Sequence, residues 1–96
     1  MTKKEYILDS LINDDEAFTQ IVEYFKFVNV SISNMELEQL LKEMIEEGFI
    51  QVNYQWKNEK DEYPYSLTKK GIKVWLNIKQ SDNIIAVSYT HLTLPT

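Results

Sequence analysis

The stretch from Ser33 to Gly48 constrains this chain more than any other. Ser33 and Glu36 have the spacing of a capping box, in which hydroxyl and carboxylate satisfy free amides at a helix start. Ile32 can staple onto Leu37. Leu37, Leu40, Leu41, Met44 and Ile45 then recur at helical spacing on one face. Gly48 stops the helix, because glycine takes the left-handed conformation cheaply. The period changes at once. Ile50, Val52, Tyr54 and Trp56 alternate with Gln51, Asn53 and Gln55, as in a half-buried strand. Lys57 to Glu62 is a charged turn, and Tyr63, Tyr65 and Leu67 alternate again, which predicts a hairpin. Pro64, without an amide hydrogen, belongs at a sheet edge. A helix that passes directly into a two-stranded ribbon must share one apolar interior with it.

The flanking segments fit that interior. Thr2 and Glu5 repeat the capping-box spacing, and Tyr6, Ile7, Leu8, Leu11 and Ile12 predict a first helix to about Asn13. Asp14, Asp15 and Glu16 suit the positive end of a second helix, which Phe18, Ile21, Val22, Phe25 and Val28 extend over roughly 15–27. The linker from Val28 to Ile32 has room for a brief extended stretch. Thr68 can cap a last helix carrying Ile72, Trp75 and Leu76, with Val74 and Ile78 beside them. The chain of 96 residues is then one domain over residues 1–80, with 81–86 as a continuation cut short.

Residues 87–96, Val-Ser-Tyr-Thr-His-Leu-Thr-Leu-Pro-Thr, follow another logic. They match a translation of GTC TCT TAT ACA CAT CTG ACG CTG CCG ACG, which resembles the mosaic end of a sequencing-library transposon followed by its adaptor. The mosaic end begins with CT, so the preceding codon must read NCT, and GCT for Ala86 meets that constraint. On this reading the gene is interrupted near Ile85. The single histidine, His91, then lies in the adaptor-derived part.

What remains has neither His nor Cys, which removes the usual general base and the thiolate nucleophile. It also removes the commonest zinc and copper ligands, and two glycines cannot build a phosphate-cradling loop. No enzyme activity, metal or cofactor is expected. Asp14, Asp15 and Glu16 read as helix-start acids, and Glu59, Asp61 and Glu62 as a solvated loop tip. No apolar run approaches the roughly 20 residues of a membrane span, and the N-terminus lacks an apolar signal core. The expectation is a cytoplasmic protein without a membrane partner.

The order helix, helix, helix, hairpin, helix forms an α+β arrangement. With Leu40-Leu41-x-x-Met44-x-x-x-Gly48-Phe49-Ile50 and then Tyr65-Ser66-Leu67-Thr68-x-x-Gly71, it resembles winged helix-turn-helix domains. These include bacterial transcription regulators of the MarR and PadR kind. The resemblance covers roughly residues 3–80, although the link between the second and third helices is longer than the tight turn of the standard motif. It implies a third helix that enters the major groove of double-stranded DNA, and a hairpin wing beside it. The candidate contacts are Asn34, Gln39 and Lys42 on the helix, with Lys57, Asn58 and Lys60 in the wing. A homodimer through the interrupted C-terminal segment is a further expectation.

Charge argues the other way. Residues 1–66 hold six lysines against fourteen acids, and residues 67–80 hold Lys69, Lys70, Lys73 and Lys79 without an acid. From Ser33 to Gly48 five glutamates face one lysine, and each glutamate near a phosphate adds repulsion. The chain has no arginine, the commonest specific base contact. An acidic protein-interaction module with a basic protein partner is therefore the alternative expectation. The wing aromatics Tyr54, Trp56, Tyr63 and Tyr65 are expected to pack on the core rather than stack on bases. Lys69, Lys70 and Lys73 oppose the dipole of their helix, and neutralisation by acids of the third helix is the expected remedy.

Overall fold

Thr2 caps the first helix as its spacing predicts. The Glu5 amide donates to Thr2 Oγ1 at 3.2 Å and the Thr2 amide donates to Glu5 Oε1 at 2.7 Å. The computed structural model describes residues 1–87, with side chains to residue 80; apart from the Val87 backbone, the adaptor-like segment lies outside the described residues. Its elements are α1 (Lys3–Leu11), α2 (Phe18–Phe27), α3 (Asn34–Glu46), β1 (Ile50–Val52), β2 (Tyr65–Leu67) and α4 (Lys69–Val87).

The second helix starts later than its acidic run suggests. Residues 14–17 are not helical, and Glu16 pairs its backbone with Tyr65 on the free edge of β2. The Glu16 amide donates to the Tyr65 carbonyl at 3.2 Å, and the Tyr65 amide returns a bond at 2.8 Å. Tyr65 is half-buried, so its edge groups need partners, and that requirement outweighs the dipole preference of the acids. Gln20 takes over the helix start, accepting from the Ala17 amide at 2.8 Å.

Asn29 closes α2 with φ of 60°, and the Val30 amide reaches back to the Phe25 carbonyl at 3.0 Å. The Val28–Ile32 link contains no strand. At the start of α3 the Glu36 amide donates to Ser33 Oγ at 3.0 Å. The Glu36 carboxylate does not complete the box, because it receives Lys3 Nζ at 2.9 Å instead. Gly48 ends the helix with φ of 84°, and the Phe49 amide donates to the Met44 carbonyl at 2.9 Å.

The chain then enters the hairpin without a spacer. The strands are antiparallel, with Ile50 opposite Leu67 and Val52 opposite Tyr65. A further bond from the Asn53 amide to the carbonyl of buried Pro64, at 2.8 Å, is the last rung. Asn53 Oδ1 accepts from the Gln55 amide at 2.9 Å and turns the chain away from the helices. The alternation predicted through Trp56 therefore leaves the core layer early. Tyr54 is 71% exposed and Trp56 42%, and Tyr63 is exposed too, so core packing holds for Tyr65 alone among the wing aromatics.

Ile7, Leu8 and Leu11 of α1 meet Ile21 and Phe25 of α2, Leu37, Leu41 and Met44 of α3, and Ile50 of β1. Helix α4 lies against them through Val74, Trp75 and Ile78. Ile72 and Leu76, expected on that inner face, are 39% and 51% exposed. Asp9 joins three helices, accepting from Tyr24 Oη at 2.6 Å and Trp75 Nε1 at 3.0 Å, with Lys79 Nζ at 3.6 Å.

Candidate nucleic-acid interface

Burial of Leu37, Leu41 and Met44 decides which way α3 looks, since the opposite residues must then face solvent. Asn34, Met35, Glu38, Gln39, Lys42 and Glu46 are all exposed. Met35, at 75%, is the most open apolar side chain on this helix. Among the described residues Lys42 forms no ion pair. Gln39 donates from Nε2 to Glu43 Oε2 at 3.1 Å.

Glu36 and Glu43 of α3, with Glu47 at its C-cap, lie on a flank turned toward α1. Lys3 binds Glu36 at 2.9 Å, and Lys4 binds Glu43 at 3.1 Å and Glu47 at 3.2 Å. Hydrogen bonds from Gln39, then Lys4, hold the Glu43 carboxyl below its ordinary range. The same carboxylates raise the Lys4 ammonium above its usual value. Three of the five glutamates between Ser33 and Gly48 are thus paired, leaving Glu38 and Glu46 beside Lys42 on the outer face. The pairing expected from α4 comes from α1 instead. Lys70 of α4 donates to the Glu47 carbonyl at 2.8 Å and lies 4.8 Å from the Phe49 ring centre. It satisfies the negative end of α3 rather than a carboxylate.

In the wing, Asn58 is the organiser. Its Oδ1 accepts from the Lys60 and Glu62 amides at 2.9 Å each, and its Nδ2 donates to Glu62 Oε1 at 2.9 Å. Glu62 also accepts from Thr19 Oγ1 at 2.8 Å, so it anchors the loop to α2 instead of ending a solvated tip. The Asn58 hydrogen bond leads the interactions that hold its carboxyl below the ordinary value. Lys57 pairs with Asp61 at 2.9 Å and sits 5.0 Å from the Tyr63 ring centre. Lys60 is exposed. Tyr54 meets Tyr63 edge-on, with centroids 4.9 Å apart.

The sequence-predicted residues therefore fall into two groups. Asn34, Gln39 and Lys42 share the outer side of α3, while Lys57, Asn58 and Lys60 share one wing loop in which Asn58 is committed to internal bonds. Burial, then the charges of Glu38 and Glu62, raise the Tyr65 phenol above its ordinary value. Met35 went unnoticed because the apolar positions were read only as core; its place off the stripe was the available signal. Asp15 is not a helix-start acid, since its carboxylate accepts from Asn53 Nδ2 at 2.9 Å. Among the described residues, no three of His, Cys, Asp and Glu come together as a metal site, and no helix is long and apolar enough to cross a membrane.

Neither a known protein family nor a curated protein matches the chain by sequence. Solved structures do. A PadR family transcription regulator from hypervirulent Clostridium difficile superposes with a TM-score of 0.75, over 94% of this chain and 96% of that one, at 17% identity. The chain has a PadR-like winged-helix fold. A PadR-like transcriptional regulator from Bacillus cereus shares that fold over 97% of this chain and 92% of its own, with a TM-score of 0.73 and 18% identity. Bacillus subtilis PadR, in complex with operator DNA, matches 77% of this chain at 27% identity and a TM-score of 0.65. The matched part is 43% of that PadR chain.

Proposed function

We propose that this PadR-like chain is a transcription regulator that binds duplex DNA, with α3 in the major groove and the wing loop against the backbone. The observation that carries the reading is the likeness to operator-bound Bacillus subtilis PadR, at 27% identity. The outer side of α3 supports it, because the acids on its α1 flank are paired and Asn34, Gln39 and Lys42 stay accessible. Lys42 and Lys60 supply charge to phosphates, Lys57 does so once it exchanges Asp61 for DNA, and Asn58 holds the loop in shape. The domain acts as a homodimer, since a two-fold pair sets two α3 helices in successive major-groove turns.

Binding of fluorescein-labelled mixed-sequence duplex, followed by anisotropy against salt, tests this reading. The affinity should fall steeply as salt rises, because each phosphate contact releases about 0.9 of a counterion. Lys42→Glu with Lys57→Glu should weaken binding on every sequence and flatten the salt slope by about 1–2 units. No binding at low salt, or affinity untouched by both substitutions, would contradict the proposed face. Capture of a lysine- or arginine-rich protein in place of DNA would support the acidic interaction module.

A further inference from the structure

The outer side of α3 is chemically uneven. Met35 is the second residue of the helix, one turn before Gln39 and two turns before Lys42, so the three form one line. A thioether set among polar neighbours has one apolar counterpart in the major groove, the C5 methyl of thymine. Gln39 is held by a chain of bonds: one amide hydrogen goes to Glu43 at 3.1 Å, and Lys4 grips Glu43 at 3.1 Å. Among the described residues its carbonyl and second amide hydrogen have no partner, and they match the donor and acceptor that adenine presents together. The chain has no arginine fork for guanine.

We propose that α3 reads A·T steps, with Met35 packed on a thymine methyl and Gln39 paired with an adenine edge. Lys4 and Glu43 are positioning residues that orient Gln39. The assignment rests on the reading that α3 enters the major groove, and its test separates the two ideas.

Three DNA duplexes of equal length suffice: alternating A·T, alternating A·U with deoxyuridine for thymidine, and alternating G·C, at one salt concentration. The A·U duplex keeps every hydrogen-bonding edge in the groove and lacks only the methyl group. The full chain should bind A·T about fourfold more tightly than A·U, as expected for one buried methyl. It should bind A·U about tenfold more tightly than G·C, as expected for one bidentate base contact, and A·T therefore about fortyfold more tightly than G·C. Met35→Ala should equalise A·T and A·U while keeping the preference over G·C, and Met35→Leu should restore the methyl preference. Gln39→Ala should keep the methyl preference and lose most of the discrimination against G·C. Met35 is exposed, so its variants should melt like the parent by circular dichroism. Equal binding of all three duplexes, or a methyl preference that survives Met35→Ala, overturns the base assignment while duplex binding stands. Absence of binding to any of the three sinks the duplex reading and this assignment with it.

Discussion

Gly71 shows how a single residue can fix the approach of two elements. A Cβ at this position would lie 2.1 Å from the Phe49 carbonyl oxygen, so any side chain must push α4 away from the segment that leads into β1. Gly71→Ala should therefore lose about 1–3 kcal/mol in urea denaturation, the usual range for forced overpacking. A loss below about 0.5 kcal/mol, the level of a neutral surface change, would mean that the contact is slack. Asp9 makes a different prediction. Burial alone would push its carboxyl up, but hydrogen bonds from Tyr24 and Trp75, with the nearby Lys79 charge, outweigh burial and hold it below its ordinary value. Folding thus favours the ionised form. That stabilisation is fully present above the unfolded carboxyl value of about 3.9 and is lost as pH falls through the folded value. Urea midpoints of the parent and Asp9→Asn, measured from about pH 6 to about pH 2, should converge toward acid. A gap that stays constant across the series would remove Asp9 as the titrating group.

At the scale of elements, α1 conditions the surface of α3. Lys3 and Lys4 pair with Glu36 and Glu43 of α3 and with Glu47 at its C-cap, and none of these pairs is well buried. Exposed pairs of this kind contribute little to stability, so their effect should appear in binding. Lys3→Ala with Lys4→Ala should leave the melting temperature nearly unchanged and weaken duplex binding, although neither lysine lies on the proposed DNA face. Unchanged affinity would show that the α1 flank does not shape the field of α3. This cross-helix pairing was not legible in the sequence, since nothing local registers Lys4 with Glu43. The legible features were local ones: the Thr2 and Ser33 caps, the Gly48 stop, and the change of period at Ile50. The Glu16–Tyr65 bridge joins residues far apart in the chain, and a local dipole argument misplaced the start of α2. The wing aromatics were misjudged because alternation continues in the sequence after the Asn53 turn has carried the backbone away from the core. For the candidate site, Asn34, Gln39 and Lys42 could be placed on the outer side from periodicity alone. The commitment of Asn58 to its own loop could not, because it depends on how that loop closes.

For the molecule as a whole, a net charge of −5 opposes association with a polyanion. That repulsion fades over a Debye length of about 8 Å at physiological salt, so the charges on the contacting face decide the outcome. The PadR-like fold places α3 and a tethered wing loop on a shared apolar interior, and the paired acids lie on the flank between α3 and α1. If duplex DNA meets the outer side of α3, amide chemical-shift mapping by two-dimensional NMR, with a mixed-sequence duplex titrated into the full chain, will show it. The largest changes are expected at Asn34, Met35, Gln39 and Lys42, with a second group at Lys57–Lys60 and small ones at Ile72 and Leu76. Changes concentrated on α4, or a spectrum unaltered by excess duplex at low salt, would contradict this placement of the DNA.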